Sequence, residues 1–295
     1  MSAAATAGLR LVPRRFSRGR LLAFHLLEGA AAALGGRAFY RRTALSPGRL
    51  RVRRERLAID GLPTAFQGLR IVQLSDPHAG PFLGRGDLAH AVDAVLALAP
   101  DLVVLTGDLI THRTEEAFEL IFDLARIRAR LGKFAVFGNH DYRGRREHEI
   151  AARFEREAGF VFLRDSAVRF AGGERDLVLV GLEDVEEARA PDAQSARAGS
   201  RESDIEVVLC HNPAAAPWLA REGCALILCG HTHGHQIDLP GIRALAPPHP
   251  GDRVQHGATA IITSRGLGAL GVPLRVRSPA EIVCVELVDG SGGIV

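Results

Sequence analysis

Five runs of aliphatic residues, each ending in a short cluster rich in Asp, Asn and His, constrain this chain more than any other feature. Ile71-Val72-Gln73-Leu74 leads into Ser75-Asp76-Pro77-His78, and Leu102-Val103-Val104-Leu105 into Thr106-Gly107-Asp108. Phe134-Ala135-Val136-Phe137 leads into Gly138-Asn139-His140-Asp141, and the run from Ile205 to Cys210 into His211-Asn212. Ala225-Leu226-Ile227-Leu228-Cys229 ends in Gly230-His231-Thr232-His233. Short apolar runs bounded by turn residues read as buried strands. Helix-period positions lie between some of them, at Leu88, Val92, Val95 and Leu96 within 87–98 and from Phe118 to Ile127 within 115–131. If each helix returns the chain, successive strands run the same way and their carboxyl ends share one edge, where ligands bind in such sheets.

The residues at those ends are metal-ligand types. Asp76 and His78, at i, i+2, could ligate one ion, and Asp108 could bridge two. Asn139 offers an amide oxygen; His211, His231 and His233 supply nitrogens. Each piece alone is more often a turn or a satisfied core residue than a ligand. Five at successive strand ends are not accidental. Seven ligands with one bridging carboxylate give four contacts to each of two ions, and the oxygen and nitrogen set suits Mn, Fe or Zn over a thiolate-seeking metal. Ions about 3.5 to 4 Å apart hold a bridging hydroxide and clamp the attacking and leaving oxygens of an in-line displacement at phosphorus.

A length of 295 residues with 47% hydrophobic residues supports a globular catalytic domain, placed at 49–295, behind an N-terminal appendage, 1–48. The net charge of +3 hides an asymmetry: the first 57 residues hold 13 Arg against Glu28 and Glu55, leaving the remainder at −8. An acidic catalytic part argues against a broad nucleic-acid surface. The four cysteines, Cys210, Cys224, Cys229 and Cys284, lie in or beside apolar runs without a C-x-x-C pair and read as buried, reduced thiols.

The segment Leu21 to Gly36 is shorter than the roughly 20 apolar residues that span a bilayer and is interrupted by His25 and Glu28. Arg14, Arg15, Arg18 and Arg20 precede it, and Arg37, Arg41 and Arg42 follow. The pattern fits a helix lying in the interface of an anionic membrane, with the cytoplasmic face of the inner membrane as the expected location. Two alternatives stand beside it: an export signal, since Arg14-Arg15-Phe16 is similar to a twin-arginine start, and a helix docked on the domain.

Elsewhere, Leu50 to Ile59 reads as an edge strand and 144–158 as a helix burying Ile150, Ala151 and Phe154. Val168-Arg169-Phe170 and the run to Val180 form a predicted hairpin around Gly172-Gly173. Residues 183–203 read as a loop or short exposed helix, and 258–263 and 282–288 as late strands.

The ordered motifs Asp76-Pro77-His78, Gly107-Asp108, Gly138-Asn139-His140-Asp141, His211 and Gly230-His231-Thr232-His233 resemble those of the calcineurin-like metallophosphoesterases. The resemblance covers 69 to about 240 and implies an α/β sandwich of two mixed β-sheets flanked by helices, in place of a simple parallel sheet. It assigns Asp76, His78 and His233 to one metal, Asn139, His211 and His231 to the other, and Asp108 to both. It makes His140 the catalytic residue that faces the phosphate, with Asp141 expected to orient it.

The basic, apolar N-terminus, the lead-in Gly68-Leu69-Arg70, and Ser264-Arg265-Gly266-Leu267-Gly268 followed by Pro273-Leu274-Arg275 resemble the membrane-associated bacterial branch. Some members of that branch hydrolyse the lipid A precursor UDP-2,3-diacylglucosamine. His235 departs from it, where a glycine is expected, as a loop variant or a further polar contact. Arg143, Arg145 and Arg265 are candidates to hold a second phosphate, against solvated surface arginines. The expected function is hydrolysis of a phosphodiester or pyrophosphate bond, of a lipid-linked nucleotide in the narrower reading; a non-catalytic metal-binding interaction protein is the reading from another class.

Overall fold

The computed structural model describes residue 11 and residues 18–188, 192–221 and 223–290. Arg14-Arg15-Phe16 and the chain beyond Gly290 lie outside the described residues, as do the side chains of Arg18 and Arg20.

The described chain opens with α1 (Arg18–Ala33) and α2 (Gly36–Tyr40). Gly35 joins them at φ 86°, a left-handed turn that favours glycine. Among the described helices none is long and apolar enough to cross a membrane. The helix α1 is inverted relative to an ordinary surface helix. Of its described side chains only Glu28 is buried, whereas Leu22, Leu26 and Leu27 are 62%, 66% and 55% exposed. After α2, Tyr40, Ala44 and Leu45 are buried in the main core.

The strands and helices then alternate. First come β1 (Arg51–Ile59), β2 (Arg70–Leu74), α3 (Ala89–Ala97), β3 (Leu102–Thr106), α4 (Thr114–Leu124) and β4 (Gly132–Val136). Next are α5 (Glu147–Arg153), β5 (Phe160–Phe162), β6 (Ser166–Phe170), β7 (Leu177–Gly181) and α6 (Ala193–Ala196). Last are β8 (Ile205–Leu209), α7 (Ala216–Arg221), β9 (Leu226–Cys229), β10 (Arg253–His256), β11 (Thr259–Thr263) and β12 (Glu281–Asp289).

They form two six-stranded mixed sheets, ordered β1-β12-β2-β3-β4-β5 and β10-β11-β9-β8-β7-β6. In the first, β2 to β5 are parallel and β12 is antiparallel to β2. In the second, β7, β8, β9 and β11 are parallel, with β6 and β10 antiparallel at the edges. The simple parallel sheet is thus replaced by two mixed ones.

Period-two alternation explains the sandwich. Ile71, Leu102 and Val104 point into the layer between the sheets, with Leu179, Val207 and Leu228 opposite, while Val72, Val103 and Leu105 face the layer under α3 and α4. A third cluster, with Val180, Val208 and Leu219, covers the outer face of the second sheet. Each fully buried Val, Leu or Ile stabilises the fold by roughly 1.5–3 kcal/mol relative to exposure. The strands therefore carry the stability, and their terminal loops can tolerate strain.

Two departures from the sequence reading have local causes. The helix expected to reach residue 131 ends at Leu124, where the Arg126 and Ile127 N–H groups turn to the i−3 carbonyls of Asp123 and Leu124, both at 3.1 Å, and the Arg128 and Lys133 side chains take the carbonyls of Ala125 and Ile127 beyond it. The segment 183–203 does contain a short helix, α6, capped by Asp192, but Val185, Ala188, Ala193 and Ala196 are buried. It is a packed cover, and alanine-rich segments carry too little periodic signal to reveal that.

Candidate metal centre

The carboxyl ends of β2, β3 and β4 in one sheet and of β8 and β9 in the other meet at one edge of the sandwich. Gln73 crosses between the sheets, donating from Nε2 to Thr106 Oγ1 and to the Cys229 carbonyl, both at 2.8 Å. The approach leaves no room for side chains at the motif glycines. A Cβ on Gly230 would lie 2.1 Å from Ser75 Oγ and 2.4 Å from Asp76 Oδ2; one on Gly107 would lie 2.4 Å from the Gly138 nitrogen.

The loops hold their polar residues in unusual backbone conformations. Asp76, His78, Asp108, His231 and His233 all have φ between 45° and 71°. Such a conformation costs a non-glycine residue about 1–3 kcal/mol and persists only where the surroundings impose it. The strain aims side chains inward: Asp76, His78, Asp108, His211 and His233 are all buried.

Three ligand groups result, Asp76 with His78 and His233, His78 with Asp108 and His140, and Asp108 with His211 and His231. Asp108 Oδ2 lies 3.3 Å from His78 Nε2 and 3.4 Å from His211 Nε2. Asp76 Oδ1 lies 3.7 Å from His233 Nε2. Asn139 joins the cluster through its Oδ1, 3.1 Å from His231 Nδ1. The seven residues picked out as ligands in the sequence thus come together.

Backbone carbonyls orient two of the rings. Nδ1 of His78 donates to Ile110 O at 3.1 Å, and Nδ1 of His211 to Thr106 O at 2.7 Å. That tautomer leaves each Nε2 lone pair facing the cluster. The Nε2 atoms of His78, His211 and His233 are buried and make no hydrogen bond. Buried polar atoms are ordinarily satisfied. Three orphaned imidazole nitrogens around two buried carboxylates are the chemistry of a divalent-cation site, and this donor set fits it. Burial favours the neutral form of His211, but the adjoining Asp108 raises its pKa well above the ordinary value, so a proton competes with a cation for that Nε2; burial, together with His78 and Arg275, holds His233 well below it.

His140 sits beside the cluster, with Nδ1 on the Thr111 carbonyl at 3.1 Å and its backbone N–H on Asp108 Oδ1 at 2.8 Å. Asp141, expected to orient His140, makes its hydrogen bonds to backbone N–H groups and not to the His140 ring. The turn Asn139–Tyr142 directs its carboxylate backward, where it accepts N–H bonds from Leu109 at 2.7 Å, Gly138 at 2.9 Å and Ile110 at 3.3 Å. Asp141 thereby ties the β3 loop to the β4 loop and positions His140 through the backbone. Burial, with Asp108 adding to it, pushes the Asp141 carboxyl up to about 8, against the pull of those N–H donors.

The candidate arginines separate. Arg143 is exposed, yet its guanidinium donates to the Thr111 carbonyl and brings Nη2 to 3.1 Å from His140 Nε2. Arg145 is exposed in the same loop. Arg265 is committed to a bidentate pair with Asp252, at 2.9 and 2.7 Å. His235 lies near Asp238, at 3.6 Å, and edge-on to His249.

Two further residues reach the cluster that were not read as site residues from the sequence. Glu186, in the polar cover segment, accepts from Asn212 Nδ2 at 2.7 Å and lies 3.9 Å from His231 Nε2. Arg275 places Nη2 3.3 Å from His233 Nδ1. Neither stands after an aliphatic run, the signal that found the others.

The family model of calcineurin-like phosphoesterases matches residues 69–235. The metallophosphoesterase YkuE of Bacillus subtilis is 30% identical over 283 residues, 93% of this chain and 96% of that protein. Phosphodiesterase YaeI of Escherichia coli is 30% identical over 228 residues, covering 74% of this chain and 82% of YaeI. A transmembrane protein with metallophosphoesterase domain from Danio rerio is 31% identical over 246 residues, 78% of this chain but only 56% of that longer protein. The ordered motifs, the two mixed sheets and these matches lead to one conclusion: the chain belongs to the calcineurin-like phosphoesterase family.

Proposed function

We propose that the protein hydrolyses a phosphodiester or pyrophosphate bond with two divalent cations, Mn, Fe or Zn, at a membrane surface, on the cytoplasmic face of the inner membrane. The observation that carries the reaction is the position of Asp108 Oδ2, 3.3 Å from His78 Nε2 and 3.4 Å from His211 Nε2, where one carboxylate oxygen can serve two ions. Asp76, His78 and His233 would hold one ion and Asn139, His211 and His231 the other, with Asp108 common to both. When bound, such a pair lowers the pKa of water and neutralises charge on phosphoryl oxygens. The name of YaeI supports the phosphodiester half of the reading.

The chain's own residues supply orientation and proton transfer. His140, held at Nδ1 by the Thr111 carbonyl, presents Nε2 to a phosphate and its leaving oxygen. Arg143 would hold a substrate phosphate, a role its exposure and its nearness to that nitrogen support. Arg265 would have to leave Asp252 to take the same role.

The exposed leucines of α1 and the arginines around it support the membrane surface, as does the name of the Danio rerio relative. One observation favours the narrower reading, UDP-2,3-diacylglucosamine as substrate: the apolar α1 adjoins the loop that holds Arg275, through the Gly271 N–H on Glu28 Oε1 at 3.2 Å. The test is hydrolysis by the purified chain, chelated and then resupplied with Mn, of bis-p-nitrophenyl phosphate beside UDP-2,3-diacylglucosamine. Mn-dependent activity lost in Asp108→Ala is expected. Preference for the lipid nucleotide selects the narrower reading, and inactivity of the Mn-loaded chain on both would leave the non-catalytic interaction protein.

A further inference from the structure

We propose that His25, Glu28 and His112 form a third cation site, apart from the cluster of Asp108, which takes a zinc-type divalent ion and clamps α1 to the catalytic domain. The ligand atoms of the three residues all lie within 4.8 Å of one another. His25 and Glu28 stand i, i+3 on α1 and so share a face. His112 comes from the loop after β3, where Glu116 Oε2 fixes its backbone N–H at 2.7 Å.

The polar pattern of the helix points to this use. Between Leu21 and Gly36, His25 and Glu28 are the only polar side chains, and both are directed to His112. Among the described side chains of α1, Glu28 is the buried one, while Leu22, Leu26 and Leu27 face outward. A buried carboxylate is costly unless paired. One of its oxygens accepts the Gly271 N–H at 3.2 Å, and the other meets His112 Nε2. The His25 and His112 rings lie 5.1 Å apart, edge to face.

An ion pair between Glu28 and His112 accounts for two of the three residues and gives His25 no task. Two imidazoles and one carboxylate are a zinc donor set with a fourth position open. The partial exposure of His112 and the exposure of His25 supply the entry path. The clamp also adjoins the catalytic loop, since His112 follows Thr111, whose carbonyl holds His140 Nδ1.

The test is zinc stoichiometry of the full chain by equilibrium dialysis at micromolar free zinc. The unaltered protein should bind one equivalent more than His25→Ala, whatever number the Asp108 cluster takes, and Glu28→Gln should lose the same equivalent. His25 is exposed, so its replacement spares the core. Zinc should also slow proteolysis within α1 in the unaltered chain and not in His25→Ala. Equal stoichiometry in the unaltered chain and His25→Ala would overturn the site.

Discussion

The Tyr40 hydroxyl lies 2.9 Å from Arg275 Nε, joining the end of α2 to the loop that backs His233. The same hydroxyl reaches the carbonyls of Leu267 and Gly268, and Arg275 reaches His233 Nδ1. Tyr40 and Leu267 are buried, so the Leu267 carbonyl that takes the hydroxyl has no water to replace it. Tyr40→Phe keeps the ring and removes the hydroxyl. Leaving buried partners unsatisfied costs about 1–3 kcal/mol. Chemical denaturation should show that loss, together with weaker Mn binding, because His233 loses part of its support; unchanged Mn affinity would confine Tyr40 to a packing role.

His140 and His211 are neighbours of Asp108 with different expected roles. His140→Ala should lower kcat roughly 10²- to 10⁴-fold, the range for a lost general acid or base. Its Mn stoichiometry should stay that of the unaltered chain. His211→Ala should lose Mn as well as activity. Equilibrium dialysis beside kinetics separates the two, and a His140→Ala protein that turns over normally would remove His140 from the chemistry.

Gly230→Ala places a methyl group within 2.4 Å of Asp76 Oδ2 and 2.1 Å of Ser75 Oγ. Both follow β2 of the first sheet, while Gly230 follows β9 of the second, so the two loops must part for it to fit. Overpacking of this kind costs about 1–3 kcal/mol. A lower melting temperature should accompany a weaker Mn-dependent rise in melting temperature. A variant that melts lower yet gains as much from Mn would show that the contact serves packing alone.

The clustering of the seven candidate ligands was legible because the strand that buries an aliphatic run also ends at the shared edge, so position along the chain reported position in space. The contacts of Asp141 were not legible, since the direction of a carboxylate after a tight turn depends on backbone angles that no motif spells out. Glu186 and Arg275 were not legible as parts of the site. They reach His231 and His233 from segments that carry no periodic apolar signal, and long-range packing alone brings them there. The second sheet's edge strand β10 was missed for the same reason, its residues being at most half-buried.

The Asp252 pair carries a pH prediction. Hydrogen bonding from His249 and, against the effect of burial, the Arg265 guanidinium hold the Asp252 carboxyl well below its ordinary 3.8. A depressed carboxylate contributes stability that is fully present above 3.8 and is lost as pH falls through the lower folded value. Asp252→Asn should therefore destabilise the protein by about 1 kcal/mol near neutrality, a figure held down by the pair's partial exposure. Urea titrations across the acid range should show the difference narrowing below 3.8, and a constant difference at every pH would exclude an ionised Asp252 as its source.

The outward leucines of α1 set the last expectation. Leu22 and Leu26 are four residues apart on one helix face, 62% and 66% exposed, with Leu27 beside them at 55%. Burying a leucine in an apolar phase is worth about 1.5–3 kcal/mol. Leu22→Ser and Leu26→Ser should therefore each weaken binding to vesicles of anionic lipid by roughly tenfold or more. Their effect on folding should be small, because neither side chain packs in the core. Sedimentation with vesicles, run beside a denaturation curve, separates the two. Anionic vesicles should also outcompete neutral ones, since arginines near such a surface contribute about 1 kcal/mol each, and salt should erode that part of the affinity first. If the leucine variants sediment as the unaltered chain does, the apolar face of α1 meets something other than lipid, and the membrane reading falls while the phosphoesterase reading stands.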